Sequence, residues 1–317
     1  MKRSQLTTCL LWMLLVVTPA FAQANAVDTR KLYDESYKVF REGDYAEAIK
    51  GFDKCIKANP GFVKAFVFRG ASYFLLDQHQ KAIGDLDKAL QLDPENPEAL
   101  YYRGCAYLFK GDSKEAIKDY DRFLKIQTES GAGYFYRGLA HYRLNQLDLC
   151  VSDTSKAISF GLAKRSVVYA LRGMAYVRME RNQAALDDFE AAANLEPDNT
   201  MLILLNYVAK ARLGTQDKTY LQSYAQRATE KESWPYPVVQ MYLGQIGPDE
   251  CLKAAVNLSD ERYREMMQHQ ADFFVGQYFI MNGQTDKGKA YVTKALGENK
   301  NLFLMDAYVK NRLDVLK

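Results

Sequence analysis

An all-α solenoid of helical hairpins, an α-α superhelix, is the fold this sequence predicts, on three observations. The pair Arg-Gly recurs at Arg69-Gly70, Arg103-Gly104, Arg137-Gly138 and Arg172-Gly173, in steps of 34, 34 and 35 residues. A fixed period of that size marks stacked supersecondary units. Inside each period, large and small apolar residues return three and four apart, the spacing that gathers them on one helical face. The 317 residues are 48% hydrophobic and 26% charged with only 8 Pro, enough apolar material for a core and few helix breakers. An array of near-identical units builds a surface rather than a catalytic pocket, so the same period argues against an enzyme.

The chain opens on a targeting signal. Lys2 and Arg3 form a basic start, Leu10 to Val17 is an unbroken apolar stretch, and Pro19 ends it. Ala20-Phe21-Ala22 is the small-x-small pattern read by signal peptidase, which predicts a secretory leader over 1–22 with a cut before Gln23. The apolar stretch is too short to span a bilayer, and no other segment of the sequence is long and apolar enough to do so. Loss of Lys2 and Arg3 lowers the net charge from +3 to +1. A chain so near neutrality gives no support for nucleic-acid binding or for an electrostatic hold on anionic lipid. Cys55, Cys105, Cys150 and Cys251 remain; export permits disulfides, whereas their small apolar repeat positions suit buried free thiols, and both readings stay open.

Aligned on the Gly of each Arg-Gly pair, the units share a residue plan. Three residues later stands Tyr73, Tyr107 or Tyr176, with His141 in the odd unit. Twelve residues after the Gly come Ala82, Ala116, Cys150 and Ala185, and four further on Leu86, Tyr120, Thr154 and Phe189. The Gly and the small Ala let two antiparallel helices approach closely. Gly43, Gly111 and Asn145 fall between the helices of their units, where a left-handed residue ends a helix. Asn59-Pro60, Asp93-Pro94 and Glu196-Pro197 close units, since Pro cannot continue the second helix.

This order of large and small residues at this period resembles the tetratricopeptide repeat (TPR), with five units over 23–198. The resemblance implies a TPR solenoid, and it implies that each Arg faces the Asp sixteen residues on. The pairs are then Arg69 with Asp85, Arg103 with Asp119, Arg137 with Asp153, and Arg172 with Asp188. The first unit has neither partner, carrying Glu35-Ser36 and Gly51 at those places. By the family's pattern a concave groove takes an amphipathic helix or apolar peptide, lined by Tyr37, Phe68, Tyr101, Tyr102, Phe135, Tyr136, Leu139, Leu171 and Met174. The chain's own tail or a second copy covering that surface is the alternative occupant.

Past residue 198 the pattern weakens. Residues 200–213 read as an apolar helix without the Gly and 219–229 as its partner, a degenerate pair within 199–233. Trp234-Pro235-Tyr236-Pro237 interrupts, a short helix runs from Val238 to Leu243, and Gly247-Pro248-Asp249-Glu250 reads as a helix start. Over 269–297, Gly276, Phe279, Gly283 and Ala295 restore the repeat plan, and 302–315 would be a closing helix. The segments Trp234 to Leu243, Phe273 to Phe279 and Lys294-Ala295-Leu296 resemble the C-terminal half of NlpI-type bacterial envelope lipoproteins. That likeness implies an adaptor that brings envelope enzymes together and often dimerises. The chain departs from it at Gln23, where those proteins carry a lipid-modified Cys.

No chemistry-bearing cluster competes with this reading. The three His show no metal-ligand spacing, the scattered Cys form no zinc motif, and the Gly residues stand singly rather than in a phosphate-cradling loop. The sequence therefore predicts no cofactor, no metal and no catalysis. It points to an exported, periplasmic or secreted scaffold that binds proteins in a bacterial envelope, homodimerisation being open. A permanent structural subunit of an outer-membrane or secretion assembly is the alternative.

Overall fold

The structure, a computed structural model, describes residues 28–229, 231, 233–256 and 261–296. The leader over 1–22 and the closing helix expected over 302–315 lie outside these residues. Among those described there is no strand: the fold is an all-α solenoid of stacked helical hairpins. The chain divides into two compact units, residues 1–106 and 107–317, taken here in turn.

In the first unit, α1 (Thr29–Glu42) packs on α2 (Tyr45–Ala58), α2 on α3 (Val63–Leu75), and α3 on α4 (His79–Leu92). α5 (Pro97–Lys110) begins there. The helix starts follow from local chemistry. Asp28 accepts from the Arg30 and Lys31 amides at 3.1 Å, Asp44 from Glu47 at 3.0 Å, and Asn96 from Ala99 at 3.0 Å. Each side chain satisfies N–H groups that the first turn leaves open. Pro97 opens α5 with the fixed φ a first helical position favours. The core gathers Tyr33, Ala48, Phe52, Cys55 and Ala65, with Phe62 and Phe68 packed against it. Where the repeat plan puts a Gly on the first helix, α1 has Ser36, and the small residue moves across the hairpin to Gly51, where an added Cβ would fall on Ser36 Oγ. The close approach is kept with its two sides exchanged.

In the second unit, α6 (Ser113–Ile126), α7 (Gly131–Arg143), α8 (Leu147–Ala157), α9 (Ser166–Arg178), α10 (Asn182–Leu195) and α11 (Thr200–Arg212) follow in order, and each packs on the next. α8 runs on into a π-helical turn, Ile158–Leu162, kinked at Phe160 and Gly161. α6 and α8 start 34 residues apart, whereas α7 and α9 start 35 apart. The extra residue of the third Arg-Gly step is thus taken up around this turn, as inserted residues in helices commonly are. α12 (Lys218–Arg227), α13 (Tyr236–Leu243), α14 (Pro248–Val256), α15 (Glu261–Met281) and α16 (Thr285–Leu296) complete the unit. α13 starts two residues before the expected Val238, because Pro237 is tolerated in a first turn. The repeat plan expected over 269–297 falls on α15 and α16, α15 beginning earlier, at Glu261. Trp234 Nε1 donates to Gln270 Oε1 at 2.6 Å, tying the approach to α13 onto α15.

A left-handed residue ends the first helix of successive hairpins: Gly43, Asp77, Gly111, Asn145, Glu180 and Gly214 all have positive φ. Asp77 and Glu180 are bulkier than the position prefers, and composition alone did not mark them as turns. The hairpin of α15 and α16 makes a close backbone approach from both sides, since a Cβ at Gly276 would lie 2.9 Å from the Gly288 carbonyl oxygen and one at Gly288 would lie 2.6 Å from that of Gly276. Neither atom can rotate away. Gly276→Ala is therefore expected to destabilise the fold by about 1–3 kcal/mol, the usual cost of overpacking, read from urea or thermal melts.

Cys55, Cys105, Cys150 and Cys251 are all free and buried. Burial raises the Cys55 and Cys150 thiols and pushes Cys251 up to about 12, so these three offer no reactive thiolate near neutrality. A maleimide should label these four only after denaturation, and reduction should leave the native melt unchanged. Labelling of fewer than four in denaturant without reductant would reveal a disulfide.

Candidate functional site

The repeated arginines organise the interior of the solenoid. Each stands in the middle of the first helix of its hairpin, one turn after an aromatic ring: the Arg69, Arg137 and Arg172 guanidinium groups lie 5.7, 5.4 and 5.8 Å from the ring centres of Phe66, Tyr134 and Tyr169. Arg69 donates from Nε and Nη2 to both oxygens of Asp85 at 2.7 and 2.6 Å, Arg137 does the same to Asp153 at 2.8 Å, and Arg172 to Asp188 at 2.9 and 2.8 Å. The fork geometry of guanidinium and carboxylate makes these strong, directional contacts.

The remaining Nη1 reaches back to the preceding hairpin. Arg69 donates to Asp53 at 2.5 Å, Arg103 to Asp87 at 2.7 Å, Arg137 to Asp121 at 2.7 Å, and Arg172 to Ser155 Oγ at 2.9 Å. One side chain thus closes its own hairpin and fixes the register of the next. This second acid set was missed from sequence, although Asp53, Asp87, Asp121 and Ser155 also recur every 34 residues. The signal was an Asp-x-Asp pattern, Asp85 with Asp87 and Asp119 with Asp121, whose second member resembles an ordinary solvated charge.

The two acids of each arginine differ in setting. The Asp188 side chain is 6% exposed and that of Arg172 19%, whereas the outer partners Asp53, Asp87 and Asp121 are 40–50% exposed. The outer bonds are worth about 0–1 kcal/mol. The carboxylates of Asp85 and Asp153 hold Arg69 and Arg137 above the ordinary guanidinium value. Burial raises Asp188 by more than Arg172 lowers it.

The groove positions divide by unit. In the first, Tyr37, Phe68 and Tyr102 are half-buried, while Tyr101 is buried. Tyr37 meets Phe68 edge-on at 4.7 Å, Phe40 lies 5.4 Å from Phe68, and Tyr102 meets Tyr101 edge-on at 5.5 Å. Burial, with Cys105, Tyr37 and Tyr45 nearby, raises the Tyr102 phenol. Tyr37 also lines a shallow concavity of about 470 Å³ with Asp34, Lys38, Arg41 and Glu42. In the second unit, Phe135, Tyr136, Leu139, Leu171 and Met174 are interior, none more than 1% exposed. Tyr136 stacks on Tyr120 at 6.3 Å, and all five side chains are packed inside the unit. The nearly continuous apolar run of α9 carried that signal, because a helix apolar on every side is covered on every side.

Among the described residues, no group of three His, Cys, Asp or Glu could hold a metal, and no helix is long and apolar enough to cross a membrane.

Comparison with known proteins agrees with this geometry. Residues 70–111 match a TPR repeat family, and residues 97–130 and 167–199 match tetratricopeptide repeat families. Among solved structures, PilW, described as a widely conserved type IV pilus biogenesis factor, superposes with a TM-score of 0.58. It is 16% identical, over 68% of this chain and 97% of its own. The MamA fragment from residue 41 of Desulfovibrio magneticus RS-1 gives 0.50 at 22% identity, over 55% and 98%. YrrB, a TPR protein with an unusual peptide-binding site, gives 0.49 at 19% identity, over 58% and 95%. Residues 70–130 and 167–199 thus carry tetratricopeptide repeats, a noncatalytic repeat that generically binds proteins and peptides.

If the inner pair is a buried ion pair, breaking it from one side must cost more than replacing it. Arg172→Met is expected to lose about 3–5 kcal/mol, and the double change Arg172→Met with Asp188→Leu clearly less, measured by urea melts. The pH dependence follows from the raised Asp188. A carboxyl group whose folded value lies above its unfolded one favours the fold at low pH, and that contribution is lost as pH rises through the folded value. Without Arg172 the rise is larger, so the deficit of Arg172→Met should narrow between pH 7 and pH 4. A constant deficit would mean that Asp188 is not desolvated.

Proposed function

We propose that this chain is an exported, noncatalytic scaffold held as a subunit of a bacterial envelope or secretion assembly, contacting its partner through the aromatic face of the first unit. The observation that carries this reading is the half-buried cluster of Tyr37, Phe40 and Phe68, with half-buried Tyr102 close enough to Tyr37 to feel its phenol. Aromatic residues left partly open on one face are characteristic of interfaces, where a Tyr contributes apolar area and a hydroxyl together. Large apolar patches are rare on soluble monomers, which favours a permanent cover over a passing one. The trough for an exchangeable amphipathic helix, as read from the sequence, needed Phe135, Tyr136, Leu139, Leu171 and Met174, and these are spent on the chain's own packing.

Export is supported by the leader pattern over 1–22 and by the tail's likeness to NlpI-type envelope proteins. PilW, a pilus biogenesis factor, has the same fold. The NlpI-type likeness also favours the second reading, an exchangeable and often dimeric adaptor.

Extraction from the native host separates the two roles. A held subunit should co-purify in a stoichiometric, salt-resistant complex from the envelope fraction, whereas sub-stoichiometric, exchanging partners would establish the adaptor. The joint variant Tyr37→Ser with Tyr102→Ser should lower partner recovery by about tenfold or more while circular dichroism stays native, the scale of one or two interface anchors lost. Undiminished recovery would remove the aromatic face from the interface.

A further inference from the structure

In the second unit, α12 and α13 pack on each other and border an open concavity of about 430 Å³, within the size range of ligand sites. Gln222 and Gln226 line it from α12, four residues apart and so on one helical face. Gln240 lines it from α13, and Gln245 from the turn that follows. Gly244, left-handed at φ 79°, ends α13 there, and the Gln245 amide N–H donates to the Gln240 carbonyl at 2.9 Å. That closing bond holds Gln245 beside Gln240. Two pairs of primary amides thus share one hollow, one pair from α12 and one from the end of α13.

These amides are open to a ligand. Gln222, Gln226 and Gln245 are exposed and Gln240 is half-buried, and none of the four side chains has a hydrogen-bond partner among the described residues. Gln222 comes 34 residues after Asp188, and Asn206 comes 34 after Arg172. The ion pair that closes the hairpin before is therefore absent here, and its acid position has become a lining residue of the hollow.

The lining selects among ligand classes. Lys231 supplies the charge among the described lining residues, too little to select a strongly charged ligand. Tyr236 is 5% exposed and donates its hydroxyl to the Ala225 carbonyl at 3.5 Å, so it offers no open ring face to a sugar. A primary amide presents a carbonyl acceptor and N–H donors in one plane. A peptide group presents the same two functions. An extended strand carries them along both of its edges, which amides from two helices can meet together. Ala225 and Leu243, half-buried in the same lining, give apolar contact to its side chains.

We propose that the hollow between α12 and α13 binds an extended, uncharged peptide segment of a partner protein, gripped through its main chain by Gln222, Gln226, Gln240 and Gln245. The inference rests on the protein-binding reading above, but uses residues separate from the aromatic face.

The test uses the full mature chain and fluorescent pentapeptides of alternating Val and Thr, blocked at both ends, a composition that favours an extended chain. Binding is read by fluorescence anisotropy, and the plain peptide should bind saturably. A copy N-methylated at alternate residues keeps the side chains but loses main-chain donors, and should bind about tenfold or more weakly. Gln222→Ala and Gln240→Ala should each weaken the plain peptide about three- to tenfold, the scale of one neutral hydrogen bond. Both variants should melt as the parent does, because neither amide has a described partner to lose. Gln80→Ala, which changes an exposed glutamine of the first unit, should bind unchanged. No saturable binding of the plain peptide, equal binding of the N-methylated copy, or unchanged binding by both hollow variants would overturn the proposal. Tighter binding of a labelled N-acetylglucosamine trimer than of the peptide would overturn it in favour of a glycan. The scaffold reading fails separately, if no protein co-purifies from the native host while the peptide still binds.

Discussion

A guanidinium that must satisfy two acids at once is the constraint on which the repeat depends. Arg69 and Arg137 each hold one carboxylate on the facing helix and a second on the hairpin before. Removing a charge from water is costly, and only several well-aligned bonds offset it. The arginine therefore tolerates one arrangement of three helices and few others. Apolar packing in a helical repeat is forgiving by comparison, because a ridge of Ala and Leu can slide by a turn and still find a groove. The stacked pairs thus serve register more than raw stability, and apolar replacement of both partners should cost less than loss of one.

The second constraint is distance. Fork geometry requires the facing helices to be close, and the residue after each arginine permits it. A Cβ at Gly70 would sit 2.8 Å from Leu86, and one at Gly173 would sit 2.7 Å from Phe189. The Arg-Gly pair is thus one device: the Gly brings the second helix near, and the Arg binds what has been brought. Where the arginine is missing, the close approach is kept by other means. The first hairpin, with Glu35-Ser36, moves its small residue to Gly51. The last keeps an even closer Gly276–Gly288 approach but puts buried Val275 where the arginine would be.

Much of this was legible in the residues. The 34-residue step, the small positions and the Asp sixteen residues after each Arg were visible because they recur, and recurrence separates a structural requirement from chance. The second acids were equally periodic, yet an isolated surface Asp has the same appearance as Asp87 or Asp121 unless the partner arginine is known to have a free nitrogen. The groove was harder. The same apolar residue on a first helix serves a ligand or the neighbouring hairpin, and the identities of Phe135 and Met174 do not distinguish the two. Only their burial in three dimensions assigns them to the core. Tyr37 and Tyr102 are chemically no different from Tyr136, yet the structure leaves the first two partly open.

The departure from the repeat at α11 shows how the array changes once the arginine is lost. There Asn206 takes the arginine's place, and Glu190, which follows Asp188 as Asp87 follows Asp85, is reached instead by Lys210 at 3.2 Å. Beyond it Arg212 donates to the Gln277 amide oxygen at 3.2 Å, and the buried acid of the last described hairpin, Asp272, is met by Lys294 at 3.0 Å. Elsewhere in the array every repeat cation with a described partner set is matched by an acid or a backbone carbonyl. Sequences tend to break their own rules where a function requires it.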